Sequence, residues 1–165
     1  VVMPNEELMR IHENPYFELY DFGYTDDLRQ LIQQENFVAV NNALQVDLTG
    51  QLSAEALDHQ PYTGVGGQTV FMLAGAYSKG GKSISVLPSS ALPTGASERL
   101  SRIVPTLGVG AAVTVPRTYV DYVVTEFGIA ELRGKTLQER AAAMVEISHP
   151  DFRDELRVQA KALYG

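Results

Sequence analysis

Gly64-Val65-Gly66-Gly67-Gln68 is the stretch whose residue types and spacing can do the most chemistry. Its glycines let backbone N–H groups approach an anionic or polar ligand with no side chain in the way. If Gln68 opens a helix, the free amides of its first turn point at the same place. The spacing is neither that of a P-loop nor of a dinucleotide fingerprint, and a plain connector is the competing reading. Ser78-Lys79-Gly80-Gly81-Lys82-Ser83 sets two lysines around two glycines, which reads as a phosphate cradle or as a hairpin turn with solvated lysines. Glu126 follows a β-branched run. A carboxylate at the carboxyl end of a strand can serve as acid or nucleophile, or as a helix N-terminal charge or ion-pair partner. Arg102 stands just before Ile103-Val104 and can bind phosphate or carboxylate, or close a structural ion pair.

Other chemistries are excluded by what the chain lacks. It has 165 residues and no cysteine, which removes disulfides, thiolate zinc sites and a cysteine nucleophile. His12, His59 and His149 show no metal-ligand spacing, and no Gly-x-Ser-x-Gly elbow is present. The net charge of −7 argues against nucleic acid or an anionic membrane as a partner. No apolar run reaches the length of a membrane span and no leader pattern is visible at Val1–Asn5, so a cytoplasmic protein is expected. The chain begins with Val, and it is expected to be a piece of a longer protein. With 45% hydrophobic and 20% charged residues it reads as one soluble domain spanning 1–165.

The elements that must position these residues are short. Asn5 is placed as the cap of a first helix ended by Pro15, Tyr16 to Tyr20 alternates weakly like a strand, and Thr25-Asp26-Asp27 opens a helix carrying Leu28, Leu31 and Ile32. Strands are expected at Phe37–Val40, Leu44–Leu48, Ser83–Leu87, Arg102–Val104, Ala111–Val115 and Asp121–Thr125. Ile103 and Val115, joined through the Leu107–Gly110 turn, look like an antiparallel pair. Ser53-Ala54-Glu55 and Gly128–Arg133 are each expected as a helical turn. Thr69–Ala76 fits a helix or a strand, and Ser89–Glu98 a mobile loop. Thr136-Leu137-Gln138-Glu139 is a capping box before a helix with Leu137, Ala141, Met144 and Val145 on one side, and Pro150 opens the last helix. The fold class expected is α/β, a layered domain with helices flanking a mixed, largely parallel sheet.

Six blocks then stand in a telling order: Asn42-Ala43-Leu44-Gln45-Val46-Asp47-Leu48, Gly64–Gln68, Ser78–Ser83, Ser101–Pro105, Val120–Lys135 and His149–Arg153. Together they resemble the C-terminal domain of the acetyl-CoA hydrolase/transferase family, similar to 4-hydroxybutyrate CoA-transferase and succinyl-CoA:acetate CoA-transferase, from about Asn36 to about Leu156. The resemblance implies a CoA-transferase fold and movement of CoA between an acyl-CoA and a small carboxylate through a glutamyl-CoA intermediate. It implies coenzyme A as substrate with no resident cofactor, and no metal. It places the backbone amides of Gly66 and Gly67 as oxyanion donors. Leu44, Gly64, Val65, Gly66, Gly67, Gln68 and Lys79 become CoA contacts. It further implies an N-terminal domain as partner and a homo-oligomer in the full enzyme. Two departures are visible. The family's nucleophilic glutamate lies upstream of every matched block, so this chain alone is expected to be inactive, and Glu126 does not inherit that role. Thr69-Val70-Phe71 also stands where members commonly carry Asp-Phe and then an arginine. An acetyl-CoA hydrolase and a non-catalytic CoA-binding module remain the alternatives.

Overall fold

The β-branched runs form the centre of the fold and the Ala- and Leu-rich runs its helices. The structure is a computed structural model describing residues 4–93, 95 and 97–165. Three short helices, α1 (Asn5–Ile11), α2 (Phe22–Thr25) and α3 (Leu28–Leu31), lead into β1 (Val38–Asn42). Then come β2 (Gln45–Asp47), β3 (Leu52–Ser53), β4 (Ala56–Leu57), β5 (Gln60–Pro61) and α4 (Gln68–Tyr77). After these run β6 (Lys82–Val86), β7 (Ser90–Ala91), β8 (Leu100–Ser101), β9 (Ile103–Val104), β10 (Tyr122–Thr125) and β11 (Gly128–Glu131). The chain closes with α5 (Leu137–Glu146) and α6 (Pro150–Tyr164).

The main sheet has the order β1–β6–β10–β11. β6 pairs parallel with both β1 and β10, bringing Val40, Ile84 and Tyr122 into one row, and β11 returns antiparallel on β10. The mixed, largely parallel sheet with flanking helices is therefore present. α4 lies on β1 and β6, and α5 packs on β11 and α6. Gly75 permits this close approach, because a Cβ there would run into the Lys82 carbonyl. A second sheet, β3–β2–β9, adds Val46, Leu52 and Ile103 to the core, all fully buried. Removing such side chains from water supplies the main driving force for folding.

The capped elements follow their sequence signals. Thr136 Oγ1 accepts from the Glu139 N–H at 3.3 Å while the Glu139 carboxylate accepts from the Thr136 N–H at 2.8 Å. Pro150 is the first residue of α6, and His149 Nδ1 caps it by accepting from the Asp151 N–H at 3.3 Å. Thr69–Ala76 is helical, within α4.

Several expectations need correction. Gly128–Arg133 is not a helical turn but begins with strand β11. Gly128, at φ 144°, turns the chain back so that Ala130 is buried opposite Val123. Ser53–Glu55 is not helical either. The Ser53 hydroxyl accepts from the Ala56 N–H at 3.3 Å and donates to the Ala56 carbonyl at 2.7 Å, folding β3 tightly into β4. Ala111–Val115 forms no ladder and makes one bridge, Val115 to Leu52. Ile103 pairs instead with Val46 of β2, in parallel. Tyr16–Tyr20 forms no strand, and its aromatic rings stay exposed without a partner edge. α1 is capped by Pro4, with Asn5 its first helical residue. In the Ser89–Glu98 segment Ser90–Ala91 pairs with β8, while Thr94 and Ala96 lie outside the described residues.

Candidate functional site

α4 enters β6 through the Ser78–Gly81 turn, so its N-terminus lies at the carboxyl ends of β1 and β6. That edge of a parallel sheet is where α/β folds leave a crevice. A cavity of about 530 Å³ opens there, with Asn42, Glu55, Gly64, Val65, Gly66 and Gln68 on its wall. A second cavity of about 300 Å³ shares Asn42 and Ala54 with it and is lined further by Leu44, Leu87, Pro88 and Arg102. The two adjoin as one cleft.

Gly64 and Gly66 face open space: a Cβ on either would meet nothing within 4 Å. Both residues are also solvent-exposed, which leaves their peptide groups within reach of a ligand. Gly67 is placed differently. It is the N-cap of α4, and a Cβ there would strike the Asp26 carboxylate and lie 2.9 Å from the Phe71 ring. The first amides of α4 have no intrahelical acceptors, and they open toward the same edge. The side-chain amide nitrogen of Gln68 is buried without a hydrogen-bond partner among the described residues. A ligand oxygen on the cavity side would satisfy it.

The structure thus gathers Leu44, Gly64, Val65, Gly66 and Gln68 around one cleft, with Gly67 behind its wall. Lys79 is not among them. It lies beyond the far end of the ten-residue α4, about 15 Å away along the helix axis, with its Nζ 2.8 Å from Glu35 Oε1. Asn42, Glu55 and Thr114 join the wall of the larger cavity. Glu55 Oε1 accepts from Thr114 Oγ1 at 3.1 Å, and Thr114 Oγ1 accepts from the Ala54 N–H at 2.9 Å. Asn42 lies in a block the sequence marks out. Glu55 and Thr114 are 59 residues apart, and no spacing rule connects them.

Glu126 follows β10 directly, with both carboxylate oxygens engaged by one residue. Ser89 Oγ donates at 2.6 Å and the Ser89 N–H at 2.8 Å. Burial pushes the Glu126 pKa up, but the Ser89 bonds, its own N–H and the nearby His149 outweigh it, leaving it below the ordinary value. This carboxylate ties the end of β10 to the segment after β6. Among the described residues no cluster of three or more His, Asp or Glu is placed to hold a metal ion, and no helix is long and apolar enough to cross a membrane.

An open, largely parallel sheet with a glycine loop and helix amides at its carboxyl edge defines an α/β domain with a cleft at that edge. Comparison with known proteins says which family it belongs to. Residues 5–160 match the acetyl-CoA hydrolase/transferase C-terminal domain, and the chain belongs to that family. It is 43% identical over 151 residues to the 4-hydroxybutyrate coenzyme A transferase of Clostridium kluyveri, covering 92% of this chain and 34% of that protein. Among solved structures, RipA from Yersinia pestis superposes with a TM-score of 0.74 at 40% identity, over 86% of this chain and 31% of that one. The 4-hydroxybutyrate CoA-transferase of Porphyromonas gingivalis does so with a TM-score of 0.73 at 35% identity, over 98% and 35%. The chain therefore spans about a third of the length of these relatives.

Proposed function

We propose that this chain is the portion of an acyl-CoA transferase that receives the CoA thioester and polarises its carbonyl, with the attacking glutamate supplied from outside these residues. The observation that carries the reading is the pair of unobstructed peptide groups at Gly64 and Gly66, set beside the N-terminus of α4 at the carboxyl edge of the sheet. The glutamate attacks the thioester carbonyl, expelling CoA thiolate and leaving an acyl-glutamyl anhydride. The thiolate then attacks the glutamyl carbonyl, releasing the acid and forming glutamyl-CoA. A second acid reverses the sequence. A carboxylate is a weak nucleophile, so fixed N–H donors facing the developing oxyanion carry much of the rate.

Two features support a further portion of the enzyme packed against this one. The chain is about a third as long as its relatives. The sheet face opposite α4 also leaves Val38, Val40 and Ile129 52%, 60% and 68% exposed, the kind of apolar surface that marks a contact site.

The test is to add acetyl-CoA and butyrate to the 165-residue chain, alone and joined to the upstream sequence of its parent. Saturable CoA binding without turnover is expected from the chain, and CoA transfer from the joined protein. Failure of the chain to bind CoA overturns the reading. So does enzymatic transfer by the chain alone: Glu55 is the carboxylate on the wall of the cleft, and loss of that transfer in Glu55→Gln would assign the attack to it.

A further inference from the structure

The chain has nine arginines. Eight of them spend their side chains on a protein partner. Arg10, Arg29, Arg133 and Arg157 face carboxylates, Arg99 and Arg117 face hydroxyls, and Arg140 and Arg153 face backbone carbonyls. Arg102 makes no side-chain hydrogen bond or ion pair among the described residues. Its backbone is nevertheless fixed, its N–H donating to the Ser89 carbonyl at 2.9 Å and its carbonyl accepting from the Val46 N–H at 3.0 Å. The side chain is half-buried on the wall of the smaller cavity, among Leu44, Ala54, Val86, Leu87 and Pro88.

A guanidinium offers five N–H donors in a planar fork that matches a carboxylate in two-point geometry. Leaving such a group half-buried and unpaired is unfavourable unless something from solution completes it. Apart from Asn42 the other side chains on this wall are apolar, and no second cation lines it to share a phosphate's charge. They suit a short hydrocarbon chain, and about 300 Å³ accommodates one.

We propose that Arg102 binds the carboxylate of a short aliphatic acid whose chain lies against Leu44, Val86 and Leu87, making this cavity the acid pocket of the cleft. The assignment of that acid as the partner of CoA rests on the function proposed above; its binding at Arg102 does not. Gly66 and the α4 N-terminus then serve the thioester in the larger cavity, and the shared wall at Asn42 and Ala54 brings the two ligands together.

The experiment is an NMR titration of the 165-residue chain with butyrate, following the Arg102 Nε–H and the methyls of Leu44, Val86 and Leu87. CoA is titrated in parallel. Saturable shifts at these groups are expected. Arg102→Gln weakens butyrate about tenfold or more, Arg102→Lys less, and CoA affinity stays within about twofold in both. The CoA arm also reports that the variants are folded. Butyrate affinity unchanged in Arg102→Gln overturns the proposal, as does an absence of shifts at Arg102. A variant that loses CoA and keeps butyrate overturns it too, by giving the guanidinium to a CoA phosphate. If the wild type binds butyrate at Arg102 but does not bind CoA, the acid pocket stands and the transferase reading falls.

Discussion

The two ends of the parallel sheet are finished in opposite ways. At the amino end two charged groups find partners within the protein, one buried and one on the surface. Asp121, just before β10, accepts from Arg133 Nε at 2.6 Å, Arg133 Nη2 at 2.8 Å and the Ser83 N–H at 3.0 Å, and Lys79 meets Glu35. At the carboxyl end donors are left without acceptors among the described residues: the Gln68 amide, the Arg102 guanidinium and the peptide N–H groups of Gly64 and Gly66. Closed networks hold a fold in one arrangement, while unmatched donors cost stability until a ligand arrives. The contrast assigns stability to one end and binding to the other. It breaks if substitutions at the amino end alter ligand affinity without altering stability, or if substitutions of the cavity-lining Gly66 and Arg102 alter stability without altering affinity.

The largest effect is expected at the amino end. Arg133→Ala leaves the buried Asp121 carboxylate with the Ser83 N–H but no cation. Arg133 is itself half in water, so the loss is about 2–3 kcal/mol rather than the full value of a buried pair. Lys79→Ala removes an exposed pair at the same end and costs less than about 0.5 kcal/mol. Urea unfolding of the two variants measures both. Equal small losses would mean that the Asp121 network contributes nothing beyond a surface ion pair.

The next test separates two adjacent glycines. Gly67→Ala must displace Asp26 or the Phe71 ring, at about 1–2 kcal/mol. Gly66→Ala meets nothing within 4 Å and leaves stability within about 0.5 kcal/mol. Its methyl group projects into the space a ligand would occupy, so CoA affinity falls in Gly66→Ala. Thermal unfolding and CoA titration of the same two proteins decide whether the neighbours divide structure and binding in this way.

This division was only partly legible in the sequence. The Gly64–Gln68 cluster announces a loop where backbone can approach a ligand, and the capping signals at Thr136 and Pro150 act over a few residues, so both are readable locally. What the sequence hides is long-range pairing. Gly128–Arg133 carries helix-compatible residues, but β10 offers it a free edge and it becomes a strand. Ile103 finds Val46 rather than Val115, because β2 reaches it first in space though not along the chain. The site has the same limit. Leu44 and Arg102 meet at one cavity because the strands that follow them, β2 and β9, pair with each other, and Lys79, close to Gln68 in sequence, is carried away by the length of a helix. A motif fixes a local conformation, and the pairing of strands decides which motifs face each other.

The smallest effect lies at the carboxyl end and tests whether any of it is structural. Glu126 is the matched carboxylate there, held by Ser89, and its pKa is depressed in the folded protein. A carboxyl bound more weakly to its proton when folded adds stability above its unfolded value near 4.5, and that contribution disappears as pH falls through the lower folded value. Wild type is therefore more stable than Glu126→Gln at neutral pH, and the difference closes once the pH drops well below 4.5. Glu126 is solvent-exposed, so the gap is modest. Urea midpoints for both proteins, taken across the acid range, give the answer. A gap that persists unchanged into acid would show that the Ser89 bonds do not depend on the charge. The carboxyl end would then contain a neutral structural clamp, and the line between a stabilising end and a binding end would have to be drawn beyond Ser89, at Arg102 and Gly66.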